Sequence, residues 1–139
     1  MLRQTLVAAT ATLALLAPTA VAEAGAPDHA RASSGITGTW KGGVYGDAGG
    51  SAGYPAKVKI FKKDGKLHGK VTYPGTCAGV WKYRGKKHGW FTFREVITTH
   101  ASRCVTPVSA KAKRVDGKLE VVWREPRTGD QGHMTAHRV

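Results

Sequence analysis

The residues of this chain that can move a proton or grip a phosphate include Glu95, Arg94, His88, His100, His133 and His137. A carboxylate or imidazole base working beside an arginine and a second imidazole is the equipment of phosphodiester cleavage, so a nuclease or phosphodiesterase has to be considered. The spacing argues against it. Adjacent residues on a strand point to opposite faces, which separates Arg94 from Glu95, and nothing in the sequence fixes a histidine beside the carboxylate. The chain holds no G-x-S-x-G, no phosphate-binding loop and no H-E-x-x-H. Cys77 and Cys104 lack the C-x-x-C or paired-histidine spacing of a zinc site. No catalytic residue, metal or cofactor is therefore assigned. A non-enzymatic protein is expected, with a nuclease as the lesser alternative.

The second kind of chemistry is charge. The 139 residues carry 22 Lys and Arg against 9 Asp and Glu, a formal net charge of +13. Such an excess attracts polyanions and opposes self-association, so a monomer is expected. Much of it falls in three short clusters: Lys62, Lys63 and Lys66; Arg84, Lys86 and Lys87; and Lys113, Arg114 and Lys118. Asp64 and Asp116 are the only acids among them.

The elements that must position these clusters are strands. No window of a dozen residues shows a helical stripe, whereas Ala56, Val58 and Ile60 alternate with Lys57, Lys59 and Phe61 as in a half-buried strand. Eight strands are predicted, over residues 37–45, 56–62, 66–73, 77–83, 89–98, 106–114, 118–125 and 131–139. Asp64-Gly65 and Asp116-Gly117 supply hairpin turns, since both residue types tolerate the positive φ required. Residues 46–53 read as a Gly-rich loop, and 84–88 as a glycine-containing connection. With no long crossover, sequential antiparallel pairing is simplest, and closing it into a small up-and-down barrel removes the edges. A β-sandwich is the rival.

In such a meander alternate turns lie at opposite ends. The three basic clusters therefore share one rim, facing away from the connections near Asp47, Pro74-Gly75, His100–Arg103 and Pro126–Asp130. That rim is the candidate anion-binding site. Its expected partner is an anionic cell-wall polymer or acidic polysaccharide held by many salt-sensitive contacts. Tyr83 and Trp90 are the aromatic residues near it, too few for an oligonucleotide-specific surface. A small ligand inside the barrel, a sensor-type role, or a secreted inhibitor presenting its loops are the alternatives. The four tryptophans, Trp40, Trp81, Trp90 and Trp123, fall within predicted strands and are expected to pack. Arg138 of the last strand can stack on Trp40 where the barrel closes.

Residues 1–24 read as a signal peptide: Arg3, an apolar run from Leu6 to Ala17, then Pro18 and two A-x-A cleavage sites, Ala20-Val21-Ala22 and Ala22-Glu23-Ala24. The apolar run is about a dozen residues, shorter than the roughly 20 that cross a bilayer, so no transmembrane anchor is expected. Residues 25–35 read as a disordered leader and 36–139 as one domain. Export places the protein outside the cell and both cysteines in an oxidising compartment, so a Cys77–Cys104 disulfide is expected, near the less basic end.

Two resemblances follow. Ile36-Thr37-Gly38-Thr39-Trp40 resembles the opening strand of lipocalin-type and avidin-type barrels; the avidin family carries an Asn two positions after this Trp, where this chain has Gly42. Over most of residues 36–139 the chain resembles the β-rich extracytoplasmic, calycin-like domain of actinobacterial serine/threonine kinases and of free-standing secreted relatives. The residues that carry this are Gly38-Thr39-Trp40-Lys41-Gly42, Tyr54-Pro55, Gly69, Val71-Thr72-Tyr73-Pro74, Cys77-Ala78-Gly79, Phe93-Arg94-Glu95 and Cys104. The resemblance implies a small barrel, a Cys77–Cys104 bridge and a sensing or binding role.

Overall fold

The computed structural model describes residues 35–47 and 50–139. The signal peptide assigned to 1–24 and all but the last residue of the leader assigned to 25–35 lie outside the described residues. From Gly38 onward the chain forms eight strands: β1 (Gly38–Gly46), β2 (Gly50–Lys63), β3 (Lys66–Tyr73), β4 (Cys77–Lys87), β5 (Trp90–Thr99), β6 (Val108–Val115), β7 (Lys118–Arg124) and β8 (Gln131–Arg138). Each pairs antiparallel with the next, and β8 returns to pair with β1, giving a closed up-and-down barrel. The sandwich is excluded, because β1 and β8 meet at a continuous seam.

Strict alternation explains both surfaces. Ala56, Val58 and Ile60 of β2, Leu119, Val121 and Trp123 of β7, and Met134 and Ala136 of β8 point inward and are buried. Their neighbours Lys57, Lys59 and His133 are exposed. Eight strands enclose an interior that side chains can fill. Here Trp40, Trp81, Phe93, Ile60, Leu119 and Met134 are almost wholly buried within it. Gly69 sits opposite Trp81 in the β3–β4 ladder, and a Cβ there would lie 2.8 Å from the Trp81 Cβ. The indole occupies the room that the missing side chain leaves.

Three two-residue turns set one pole: Asp64-Gly65, His88-Gly89 and Asp116-Gly117, each with positive φ at both positions. This is the backbone of type I′ hairpins, whose twist matches that of the flanking strands. The second of these, His88-Gly89, differs from expectation. Residues 84–87 continue β4 instead of forming a loop, because a bulge between Tyr83 and Gly85 lets the β4–β5 ladder run on to Lys87 and Trp90. His88 then takes the left-handed position, at φ 50°.

Two other boundaries moved for identifiable reasons. β2 begins at Gly50, within the expected Gly-rich loop, since Tyr54 and Pro55 pair with Val44 and Gly43 of β1. The β3 partners stop at Lys57, which leaves Pro55 on an unpaired edge where a missing N–H is tolerated. β6 starts at Val108 and not at Thr106, because the Ile97 N–H of β5 is taken by the Thr106 side-chain hydroxyl at 3.0 Å. The segment between includes a short 3₁₀ turn at Ala101–Arg103.

Cys77 and Cys104 form a disulfide at the pole opposite the three tight turns, with a Cα–Cα distance of 6.5 Å and a sequence separation of 27. A loop of this size is stabilised by about 3.5 kcal/mol through the chain entropy it removes from the unfolded state. The double variant Cys77→Ser/Cys104→Ser should therefore lose about that much in urea unfolding while keeping the β-sheet circular-dichroism signature; a loss below about 1 kcal/mol would show that the bridge is decorative.

Candidate functional site

The poles differ in charge for a reason that lies in turn chemistry. At the tight-turn pole Lys62, Lys63 and Lys66 flank the β2–β3 turn, Lys86 and Lys87 precede the β4–β5 turn, and Lys113, Arg114 and Lys118 surround the β6–β7 turn. The two acids among them, Asp64 and Asp116, occupy left-handed turn positions at φ 51° and 48°, so their presence answers to backbone geometry. At the other pole Asp47, Glu125 and Asp130 offset Arg103 and Arg127. There the Arg127 guanidinium bonds Glu125 at 3.0 Å and holds its carboxyl below the usual range. Asp47 accepts the Gln131 N–H at 2.9 Å.

Two lysines of the basic pole rest on aromatic rings: Lys86 Nζ is 4.6 Å from the Phe91 centroid and Lys113 Nζ is 4.6 Å from that of Trp90. The same pole holds the start of β1 and the end of β8. Trp40 Nε1 donates to the Ile36 carbonyl at 2.9 Å, Ile36 is buried, and the Arg138 guanidinium covers the Trp40 ring at 4.4 Å. Trp40 and Arg138 face each other directly across the β1–β8 seam.

Two depressions mark the surface near the cations. The first opens where β3 and β4 part company. Their ladder ends at His68–Lys82, while each strand continues in its own hairpin, β2–β3 to Lys63–Lys66 and β4–β5 to Lys87–Trp90. The space between the hairpins is a groove of about 550 Å³ with Lys62, Lys66, His68 and Lys82 around Leu67, Tyr83 and Phe91. Tyr83 is 38% exposed and its ring stands 6.5 Å from that of Phe91.

The second depression, about 350 Å³, lies on the outer wall. It is lined by Arg84, Thr92, Arg94 and Ser109 between Pro107 and Pro126. Arg84 is the extra residue of the β4 bulge. It stands two residues after outward-facing Lys82 and lines this depression with Arg94. Of the nine cations assigned to one rim, Arg84 is thus the one that lines the wall depression.

Comparison with protein-family models, with curated proteins and with solved structures finds no match to this chain. The site is therefore argued from its own geometry.

The carboxylate that raised the question of catalysis is placed differently from all of these groups. Glu95 points into the barrel and is 2% exposed, while Arg94 is exposed on the outer wall. Its Oε2 accepts the indole N–H groups of Trp81 and Trp123, both at 2.7 Å, and its Oε1 accepts the Tyr73 hydroxyl at 3.0 Å. Tyr54 packs edge-on against Tyr73 at 5.6 Å. All the histidines of the barrel are exposed, so none touches this carboxyl. Burial pushes the Glu95 pKa up, and the three donors only partly counter it. Burial and then the Glu95 charge push the hydroxyls of Tyr73 and Tyr54 up as well. Either charge state fits. A proton on Oε1 can be donated to the Tyr73 oxygen while Oε2 keeps both indoles.

The cluster was partly legible. Phe93, Glu95 and Ile97 share one face of β5 by alternation, and a carboxylate in an apolar row signals buried donors. What the sequence lacks is the cross-barrel pairing that brings Trp81 and Trp123 together.

Glu95→Ala should destabilise the protein by about 3–5 kcal/mol, since it leaves two indole N–H groups and a phenol without acceptors and opens a cavity. Glu95→Gln mimics the neutral acid and should cost far less. Because the folded pKa lies above the unfolded one, the folded state binds this proton more tightly. Stability contributed by the carboxyl is fully present below the ordinary glutamate range and is lost as pH rises to the elevated folded value. In urea titrations the stability of wild type minus that of Glu95→Gln should fall with rising pH across that window and then level off. A difference that grows with pH would mean that the donors outweigh burial.

Proposed function

We propose that the protein is a secreted, non-enzymatic binding module that holds an anionic polymer at its basic pole. The observation that carries this reading is the groove between the β2–β3 and β4–β5 hairpins. There Lys62, Lys66, Lys82 and His68 stand around an aromatic and aliphatic floor of Tyr83, Phe91 and Leu67. Cations at the lip attract acid groups over distance and release them with salt, and an apolar floor accepts the uncharged part of a sugar or linker.

Three further features support it. The interior is filled by large side chains, which turns attention to the outer surface. Glu95, the best-placed carboxyl for acid–base work by residue type, is sealed inside by its three donors. Residues 1–24 have the pattern of an export signal, and a disulfide-bonded barrel suits an oxidising exterior where acidic polymers are abundant. The resemblance to extracytoplasmic kinase domains accords with a free-standing binding or sensing role.

The test is retention on immobilised heparin. Wild type should bind at low ionic strength and elute with moderate salt. Lys62→Gln/Lys66→Gln, at exposed turn positions, should elute at clearly lower salt with an unchanged melting temperature. Flow-through of the wild type, or identical elution of the two proteins, would refute the assignment.

A further inference from the structure

The outer face of the β2–β3 hairpin is a ladder of cations. Lys57, Lys59 and Lys63 of β2 share the outward parity with half-buried Phe61, and Lys66, His68 and Lys70 share it on β3. Pairing between the strands arranges them in successive levels: Lys57 opposite Thr72, Lys59 opposite Lys70, Phe61 opposite His68, and Lys63 opposite Lys66. Lys41 of β1 faces Lys57 and joins the first level, while Lys82 of β4 faces His68 and joins the third. All these basic side chains are exposed. Levels two residues apart are separated by roughly 6.7 Å, so the whole ladder spans about 20 Å. The β2–β3 pairing beneath it runs without a register shift.

Nothing on this part of the sheet offsets the charge. Strands β1 to β4 contain no Asp or Glu, and the acid of the hairpin, Asp64, sits in the turn at a left-handed position. Lys59–Lys70 and Lys63–Lys66 are like charges directly opposite each other, an arrangement that costs stability. No ion pair relieves them among the described residues. The β6–β7 hairpin is the contrast, because there Lys113 faces Glu120 and Lys111 faces Val122, and no run of paired cations forms. Repulsion that one hairpin retains and another avoids suits an external polyanion on the first. Lys66, His68 and Lys82 of the last two levels also border the pole groove, so the ladder runs into it.

The geometry points to poly(glycerol phosphate), a linear phosphodiester polymer with a three-carbon bridge between phosphates, lying lengthwise on the β2–β3 hairpin with one phosphate at each level. This rests on the anionic-polymer reading and extends it to the polymer and its path. The match is one of covalent repeat. Two residues of strand hold six main-chain bonds, and so does the path from one phosphorus to the next through a three-carbon bridge; extended, both advance by about 7 Å. Inorganic polyphosphate, with two bonds per charge, is too dense for the levels, and a uronic acid polymer carries its carboxylates off the main chain. Lysines are point charges on flexible stems, which suits phosphates strung along a flexible backbone. A single-stranded nucleic acid shares the six-bond repeat, but its bases call for aromatic platforms. On the ladder Phe61 is half-buried and already stacked on His68, with ring centroids 5.8 Å apart. A glycerol bridge needs no such platform.

The experiment measures binding of the full barrel to fluorescently labelled poly(glycerol phosphate), polygalacturonate and oligothymidylate at matched charge number, each over a range of salt. Wild type should bind poly(glycerol phosphate) roughly tenfold more tightly than either rival, with affinity climbing steeply up to about four phosphates and only shallowly beyond. Lys59→Gln/Lys70→Gln, which leaves the groove lining intact, should weaken binding about tenfold and lower the log–log salt slope by about 1.5. Its melting temperature at low salt should hold or rise, because a like-charged pair is gone. Lys111→Gln/Arg124→Gln removes two charges from the β6–β7 face and should change affinity by less than about threefold. Equal losses for the two pairs, equal or tighter binding of polygalacturonate or oligothymidylate, or a length dependence without a break would overturn the assignment. If heparin retention responds to Lys62→Gln/Lys66→Gln while Lys59→Gln/Lys70→Gln leaves poly(glycerol phosphate) binding intact, the pole site stands and the ladder falls. If neither heparin nor poly(glycerol phosphate) is held, both fall.

Discussion

A carboxyl group buried among aromatic rings is the constraint around which the barrel is organised. Glu95 brings together Tyr73 of β3, Trp81 of β4 and Trp123 of β7, residues 22, 14 and 28 positions away in the chain. A carboxyl taken from water is tolerated only where hydrogen bonds replace its hydration, and buried indole and phenol donors equally require an acceptor. Each partner's cost is removed by the other, so register errors on β3, β4, β5 or β7 leave polar groups stranded inside. An apolar residue at 95 would pack without dictating which strands meet. The hub therefore contributes specificity of register, and the rise in the Glu95 pKa shows that burial is still imperfectly offset.

Outside that hub, alternation separates two independent requirements. Inward positions answer to packing, as Gly69 does in yielding space to Trp81. Outward positions answer only to solvent and partners. Their lysines and arginines repel one another along the β1–β2, β2–β3 and β4–β5 ladders without disturbing the interior. Two lysines at the basic pole lie on aromatic rings, which shelters their stems while leaving charge at the surface.

The eight strands, their order and the disulfide were readable because each rests on a local signal. Alternation at Ala56–Ile60 marks a strand, Asp-Gly marks a hairpin, and two cysteines without metal-site spacing pair by default. The polarity of the barrel followed from strand order. Less legible was whatever depends on a partner strand. The continuation of β4 through Arg84–Lys87 needs a bulge whose extra residue no local preference announces. The entry of Gly-rich Gly50–Gly53 into β2 needs β1 beside it. His88 holds a left-handed turn position that Asp fills in the two sister turns, and its residue type gave no cue. Glu95 carried a signal, an acid in an inward row, but its donors lie on strands that only closure brings near.

The bulge connects these levels. A regular β4–β5 ladder would leave the residue after Tyr83 facing Thr92 in strict register, and every side chain beyond it would keep the parity set at Cys77. The extra residue shifts that parity within one step. Beyond it Gly85 faces Thr92 and Lys86 comes opposite Phe91, over whose ring its Nζ lies at 4.6 Å. The backbone at this point is permissive because Gly85 adopts φ 147°, a conformation that side chains disfavour. A rigid barrel with a filled interior cannot reshape itself around a ligand, so its surface relief has to be built into the ladders. The β4 irregularity supplies that relief between the two hollows, where a closed sheet would otherwise present an even wall.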